Sequence, residues 1–267
     1  MLSFISFGSG SSGNCYYLYT ESEGLLIDAG VGVRTLKKYF HQYGYSFNSI
    51  HDLLITHDHA DHIKSVGSLS HDFKLMVHST QNVHAGIDRN YCVKRKLMPE
   101  YKHYVKYGET FVVGHFEVTP FHVPHDSMDN VGYRICCSGM TFVLMTDMGH
   151  VTDDMKAMAS EADYLVIEAN HDEQMLHDGP YADYLKQRIT CGTGHLNNVL
   201  CGQTIAECMT PRLKHVWLCH LSEENNTPQC AYDTVAGILR DKGISVGTDL
   251  LLDVLNRKSP TGPYELK

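Results

Sequence analysis

Between His57 and His62 the chain places three histidines and two aspartates in six positions: His57, Asp58, His59, Ala60, Asp61, His62. The run follows the apolar Leu53-Leu54-Ile55, so the ligand-type side chains come at the end of a strand. A strand puts residues i and i+2 on one face, so His57 and His59 are expected to aim at one point. Asp61 and His62 are expected to turn away from that pair, at the start of the next segment, and to serve a second ion. Imidazole nitrogens with carboxylate oxygens suit zinc, and also manganese or iron. Histidine is abundant here, 18 in 267 residues, so the motif alone also fits a solvated histidine-rich turn. Residues elsewhere have to decide between the two.

Four clustered ligands do not close two coordination spheres. Further ligands are expected at the ends of other strands, where α/β sites gather. His125 follows the strand Phe121-His122-Val123 and a proline, Asp147 ends Phe142-Val143-Leu144-Met145-Thr146, and His220 ends Val216-Trp217-Leu218-Cys219. His122 competes with His125, but reads better as a strand residue. Asp28 lies toward the end of another short buried strand, Leu25 to Gly30.

The elements that must carry these residues alternate along the chain. Strands are expected over 2–7, 14–20, 25–30, 52–56, 116–123, 131–137, 141–146, 164–168 and 215–219. Helices are expected over 33–43, 60–70, 181–189, 198–209 and 228–240. Two β-rich halves, each with helices, in one domain spanning 1–267 predict an α/β (α+β) fold, two sheets packed face to face and covered by helices.

Composition narrows the function. No apolar run approaches the ~20 residues of a membrane span, and the N-terminus lacks a basic leader. Nine cysteines, an odd number with no C-x-x-C pair, point to reduced thiols and a cytoplasmic setting. A net charge of −9 counts against a general nucleic-acid binder. However, Arg89, Lys94, Arg95, Lys96, Lys102 and Lys106 stand against the single acid Glu100, among Tyr91, Tyr101, Tyr104 and Tyr107. That stretch reads either as a track for a phosphate backbone or as an ordinary solvated face. The sequence leaves the oligomeric state open.

The succession of Asp28, H-x-H-x-D-H, a lone histidine, a strand-terminal aspartate and a late histidine resembles the metallo-β-lactamase superfamily over the whole chain. The loop Gly8 to Asn14, with Glu168-Ala169-Asn170-His171-Asp172, Gly194-His195-Leu196-Asn197-Asn198 and His220-Leu221-Ser222-Glu223-Glu224-Asn225-Asn226, is most similar to its YycJ/WalJ-like branch. The resemblance implies a four-layer αββα sandwich and two divalent ions, zinc first. It implies that His57, His59 and His125 hold one ion, that Asp61, His62 and His220 hold the other, that Asp147 bridges them, and that Asp28 orients a ligand. His195 is placed like the general-acid histidine of the related RNase Z enzymes, with Glu168 as the residue that orients it. His171 is a further candidate at the cavity.

Two such ions lower the pKa of a shared water toward neutrality and clamp the oxygens of a scissile ester. The branch implies a 5′ to 3′ exonuclease on DNA, with nucleic acid as substrate. A small-molecule hydrolase (a lactonase, thioesterase or cyclic-nucleotide phosphodiesterase) stands as the alternative, because the fold hosts all of these. A non-hydrolytic metal protein is a third reading, which a complete ligand set disfavours. Only 73 residues separate Asp147 from His220, which leaves no room for the large insert of β-CASP nucleases. Ser11, Ser12 and Asn14 read either as a phosphate cradle or as a tight hairpin that needs glycine.

Overall fold

The computed structural model describes residues 1–267. In chain order it holds β1 (Leu2–Gly8), β2 (Cys15–Tyr19), β3 (Gly24–Ile27), α1 (Val33–Tyr43), β4 (Ile50–Leu54), α2 (Ala60–Ile63), α3 (Val66–Phe73), β5 (Met76–Ser79) and α4 (Gln81–Arg89). There follow β6 (Lys102–Tyr104), β7 (Phe111–Val113), β8 (Phe116–His122), β9 (Val131–Cys137), β10 (Met140–Met145), α5 (Asp153–Ser160) and β11 (Tyr164–Glu168). The last third holds α6 (Glu173–Asp178), α7 (Asp183–Thr190), α8 (Asn198–Cys208), β12 (His215–Cys219), α9 (Pro228–Asp241), β13 (Leu251–Val254) and β14 (Thr261–Leu266). No helix is long and apolar enough to cross a membrane. The chain groups into two compact units. One is Met1–Pro120 with Ser127–Val131 and Asn256–Lys267; the other is Phe121–Asp126 with Gly132–Leu255.

The first unit is built on a mixed seven-stranded sheet in the order β14-β1-β2-β3-β4-β5-β6. Strands β14, β1, β2 and β3 pair antiparallel, and β3 through β6 pair parallel. The parallel part matters for the site, since β3 and β4 deliver their C-terminal ends to the same edge. Helix α1 buries Leu36 and Phe40, and the Phe40 ring meets Phe7, Tyr17, Tyr45 and Phe47 at centroid distances of 4.0–5.9 Å. Each such side chain withdrawn from water contributes roughly 1.5–3 kcal/mol. Gly44 ends α1 at φ 73°, a left-handed cap that only glycine adopts without strain. The helix expected over 60–70 is broken, because the chain leaves helical bonding between Ile63 and Val66 and restarts as α3. The Ser65 hydroxyl donates to Val31 O at 2.7 Å instead of capping α3.

In the second unit β9 and β10 pair antiparallel, while β10, β11, β12 and β13 are parallel. Val143, Met145, Leu165, Ile167, Val216 and Leu218 alternate along three strands and share one buried cluster with Met155, Ile205 and Val235 from α5, α8 and α9. Both units therefore show the α/β class expected. Elements such as α5, α6 and β14 were not anticipated. They are short and half-exposed, and their apolar periodicity is too brief to stand out.

A buried histidine in the first unit gives a stability prediction. His84 on α4 is 1% exposed. Its Nε2 donates to His103 O at 3.1 Å, and its Nδ1 has no hydrogen-bond partner. Burial pushes its pKa down to about 4. Between that value and the unfolded value of about 6.5 the folded state binds fewer protons, so stability falls as pH drops through this window. Between pH 7 and pH 4.5 the wild type is expected to lose about 2 kcal/mol more than His84→Gln in urea melts, and equal losses would refute it.

Candidate metal centre

In the first unit the ligand-type residues sit just past two parallel strands. Asp28 follows β3 in the left-handed region at φ 61°, and Thr56-His57 follows β4. Strand β4 ends at Leu54, so His57 is not on a continuous strand. It is held by an isolated bridge to Asn130, with Val131 N donating to Thr56 O at 2.9 Å. His59 is the residue before α2. The His57 ring lies 4.7 Å from that of His59 and 4.0 Å from that of His62, centroid to centroid. The expectation that Asp61 and His62 turn away is thus corrected. The turn into α2 folds His62 back onto His57. It is fastened by Ala29 N to His62 O (2.7 Å) and Asn14 N to Asp61 O (2.8 Å). Gly30 makes this approach possible, because a Cβ there would lie 1.5 Å from Asp61 O.

Hydrogen bonds set the tautomer of each imidazole. Asp28 is fully buried. Its carboxylate accepts from Thr56 N (2.9 Å), from the Thr56 hydroxyl (3.0 Å) and from His62 Nδ1 (2.7 Å). The Thr56 hydroxyl, having donated to Asp28, accepts from His57 Nδ1 at 3.0 Å. With Nδ1 protonated, the lone pair of each ring is on Nε2, the form in which histidine binds a metal. His62 Nε2 accepts from Asn14 Nδ2 at 2.8 Å, and Asp61 Oδ2 lies 3.6 Å from the same nitrogen. The donor set therefore fits a divalent ion.

The second unit repeats the design at the ends of β10, β11 and β12. Asp147 and His220 both adopt positive φ, 55° and 52°. Asp28, Asp147 and His220 thus make three of the five non-glycine residues in that region. Strain gathered at strand ends marks backbone bent to aim side chains. Asp147 Oδ1 lies 3.3 Å from His220 Nδ1, 3.8 Å from His195 Nδ1 and 3.9 Å from His125 Nε2. His125 Nδ1 donates to Gly194 O at 3.0 Å, again leaving Nε2 as the ligand nitrogen.

Beneath them Glu168, with no exposed surface, accepts four hydrogen bonds. His195 Nδ1 (2.7 Å) and His220 Nδ1 (3.1 Å) reach Oε1; Met148 N (2.8 Å) and Leu196 N (3.1 Å) reach Oε2. Burial alone would raise its pKa, but His195 and the hydrogen bonds from both histidines outweigh that and hold it at about 2. For His195, burial works against the charged ring, yet the Glu168 carboxylate carries its pKa above the ordinary value. Asp147, Glu168, His195 and His220 have ligand-type atoms within 4.8 Å of one another.

Residues 24–220 match the family model described as a β-lactamase superfamily domain. Exodeoxyribonuclease YycJ of Bacillus anthracis is 32% identical over 97% of both chains. Exodeoxyribonuclease WalJ of Streptococcus pneumoniae is 34% identical over 90% of this chain and 89% of its own. The chain belongs to the metallo-β-lactamase superfamily. Its fold is shared with the metallo-β-lactamase fold protein YhfI of Bacillus subtilis, at a TM-score of 0.71 and 18% identity, over 98% of this chain and 99% of that one.

Within this superfamily member the first unit gathers Asp28, His57, His59, Asp61 and His62, and the second gathers His125, Asp147, Glu168, His195 and His220. His122 lies exposed at the end of β8. Ser11 and Ser12 are exposed on the first loop. Asn14 is fully buried, and its amide is taken up by Gly10, Asp61 and His62, so it positions the ligand loop. His171 is 2% exposed, and burial lowers its pKa to about 4; it is a neutral interior ring. In the basic stretch Arg95 pairs with Asp72, Lys102 with Asp88 and Lys106 with Glu109, while Lys96 donates to Asn90 O.

Sequence reasoning missed Thr56 and an asparagine lattice. Asn226 Nδ2 donates to Ala169 O (2.9 Å) and to Asn198 Oδ1 (2.9 Å), and Asn170 Nδ2 donates to His220 O (2.9 Å). The signal was present: these asparagines lie in the three late stretches that carried the branch resemblance.

Proposed function

We propose that the protein is a metal-dependent phosphodiesterase that removes nucleotides from the 5′ end of DNA, and that it works with two divalent ions. His57, His59 and His125 are assigned to one ion, Asp61, His62 and His220 to the other, and Asp147 to both. Zinc suits this donor set, and manganese or iron are accommodated by the same nitrogens and carboxylates. When bound, such ions supply a nucleophile from water at neutral pH and offset charge on the scissile group.

The observation that carries the reading is the Glu168–His195 pair. An alkoxide leaving group needs a proton at neutral pH. A histidine whose Nδ1 is fixed on a buried carboxylate keeps its Nε2–H directed away from that carboxylate as a donor. Glu168 also orients His220, so one residue sets the direction of both the proposed ligand and the proposed acid. The relation to YycJ and WalJ, both named exodeoxyribonucleases, supports DNA as the diester. The nine cysteines form no disulfide, which supports a reducing, cytoplasmic setting.

The test is to incubate metal-loaded protein with end-labelled DNA and, in parallel, with a lactone, a thioester and a cyclic nucleotide. The reading expects stepwise loss of nucleotides from the 5′ end. Cleavage of a small ester with DNA left intact would replace it with the small-molecule alternative. A companion prediction concerns Asp28. Asp28→Asn keeps a side chain that tolerates left-handed backbone but weakens the anchor of His62 Nδ1. Affinity for the metal is expected to fall about 10- to 100-fold, read by competition with a chromophoric chelator. Unchanged affinity would remove Asp28 from the ligand-orienting role.

A further inference from the structure

Apart from the assigned ligands, the parallel strands β4, β5 and β6 of the first unit bring Asp52, His78 and His103 into one row. The register sets His78 directly opposite His103. On the other side His78 is opposite Leu54, and Asp52, two residues earlier on β4, shares the face of Leu54. His78 is 4% exposed, whereas His103 is exposed on β6, the outermost strand of the sheet.

Hydrogen bonds order the row. His78 Nε2 donates to Asp52 Oδ1 at 2.7 Å. The lone pair of the neutral ring is then on Nδ1, which accepts from His103 Nδ1 at 2.9 Å. Phe111 packs on both rings, at centroid distances of 5.3 Å from His78 and 5.4 Å from His103. Partial burial and the neighbouring His78 outweigh Asp52 and hold the His103 pKa below its ordinary value, so this ring is neutral at neutral pH. A carboxylate behind an imidazole is the arrangement that fixes the tautomer and direction of a metal-binding histidine.

The spacing selects the ion. Two nitrogens 2.9 Å apart, each about 2.0–2.1 Å from one cation, subtend about 90°. A tetrahedral ion such as zinc opens that angle to about 109° and needs about 3.3–3.4 Å between nitrogens. Right angles suit square-planar or octahedral ions, and affinity for imidazole among the first-row divalent ions peaks at nickel and copper. We infer that His78 Nδ1 and His103 Nδ1 form a bidentate clamp for nickel(II) or copper(II), separate from the assigned ligands, that ties the edge strand β6 to β5. On binding, the His103 hydrogen moves from Nδ1 to Nε2, so the ring stays neutral and no net proton is released. The exposed His103 ring can adjust about χ2, a broad torsion, to bring its lone pair onto the ion.

The experiment saturates the protein with zinc, removes the excess, and titrates nickel(II) by equilibrium dialysis with both metals measured. The wild type is expected to take up one nickel per chain without releasing zinc, and its melting midpoint is expected to rise with nickel. His103→Ala is expected to weaken nickel uptake at least about tenfold and to lose the rise in midpoint, and Asp52→Asn to weaken uptake about tenfold. His41→Ala, at an exposed ring on α1, retains wild-type uptake. Equal uptake by wild type and His103→Ala, nickel bound only in exchange for zinc, or undiminished uptake by Asp52→Asn would overturn the assignment. The comparison of wild type with His103→Ala decides if Asp52→Asn does not fold. None of these readouts passes through DNA cleavage, so the clamp and the nuclease reading stand or fall separately.

Discussion

Asp147→Asn is expected to abolish phosphodiester cleavage, by at least about 10³-fold in kcat/KM, with little change in thermal stability. Asparagine is the informative substitution for a backbone reason. Asp147 is 2% exposed and sits at φ 55°, a conformation that Asn and Asp tolerate and Ala does not. Alanine would add backbone strain of about 1 kcal/mol or more to any catalytic loss, and the two would be confounded. Asparagine keeps the shape and an acceptor for the Thr146 hydroxyl, now 2.8 Å from Oδ2. It removes the charge that faces His125, His195 and His220. Circular dichroism and a melting curve establish the fold, and an assay on end-labelled DNA reads the activity. Retention of a tenth or more of the wild-type rate would take Asp147 out of the centre.

Glu168→Gln is expected to cost both stability and catalysis, although it is nearly isosteric. Both carboxylate oxygens of Glu168 face donors only: two imidazole Nδ1–H groups on one, two backbone N–H groups on the other. A glutamine must turn its NH₂ toward one of these pairs, whichever way it flips. That sets donors against donors in a site closed to water and costs about 3–5 kcal/mol, read as a lower midpoint in urea. The wild-type contribution has a defined pH window. The Glu168 pKa is depressed from the ordinary carboxylate value near 4.5 to about 2. Its stabilisation is therefore present above the unfolded value and is lost as pH falls through that interval. Catalysis changes with opposite sign on the other limb. Without the carboxylate the His195 pKa falls, less of the ring is protonated at neutral pH, and the alkaline limb of the kcat profile moves to lower pH. A variant with wild-type stability and an unmoved alkaline limb would refute the role assigned to Glu168.

The parts of the fold legible in sequence were those with strong periodicity or clear strand ends. Helix α1 has the bounds expected, 33–43, and strands β9 and β11 likewise. Asp28, Asp147 and His220 were legible because each follows an apolar run; their left-handed backbone was not, since no residue type announces it. The motif itself was read through the wrong geometry. The i, i+2 rule assumed a strand, whereas β4 stops at Leu54 and a stapled turn brings His57, His59 and His62 together. Contacts between residues distant in sequence, such as Asn14 on His62 or Asn226 on Ala169 O, lie beyond any local pattern. The basic stretch stayed open between a nucleic-acid track and a solvated face because partners such as Asp72 and Asp88 lie outside it in sequence.

The central claim is that the chain cleaves DNA with two metal ions. Its most direct test is to strip the protein with a chelator, add metal back in measured equivalents, and follow cleavage of end-labelled DNA. The account predicts no cleavage by the stripped protein and activity that rises to a plateau at two equivalents per chain. Cleavage that survives chelation, or a plateau at one equivalent with full activity, would contradict it.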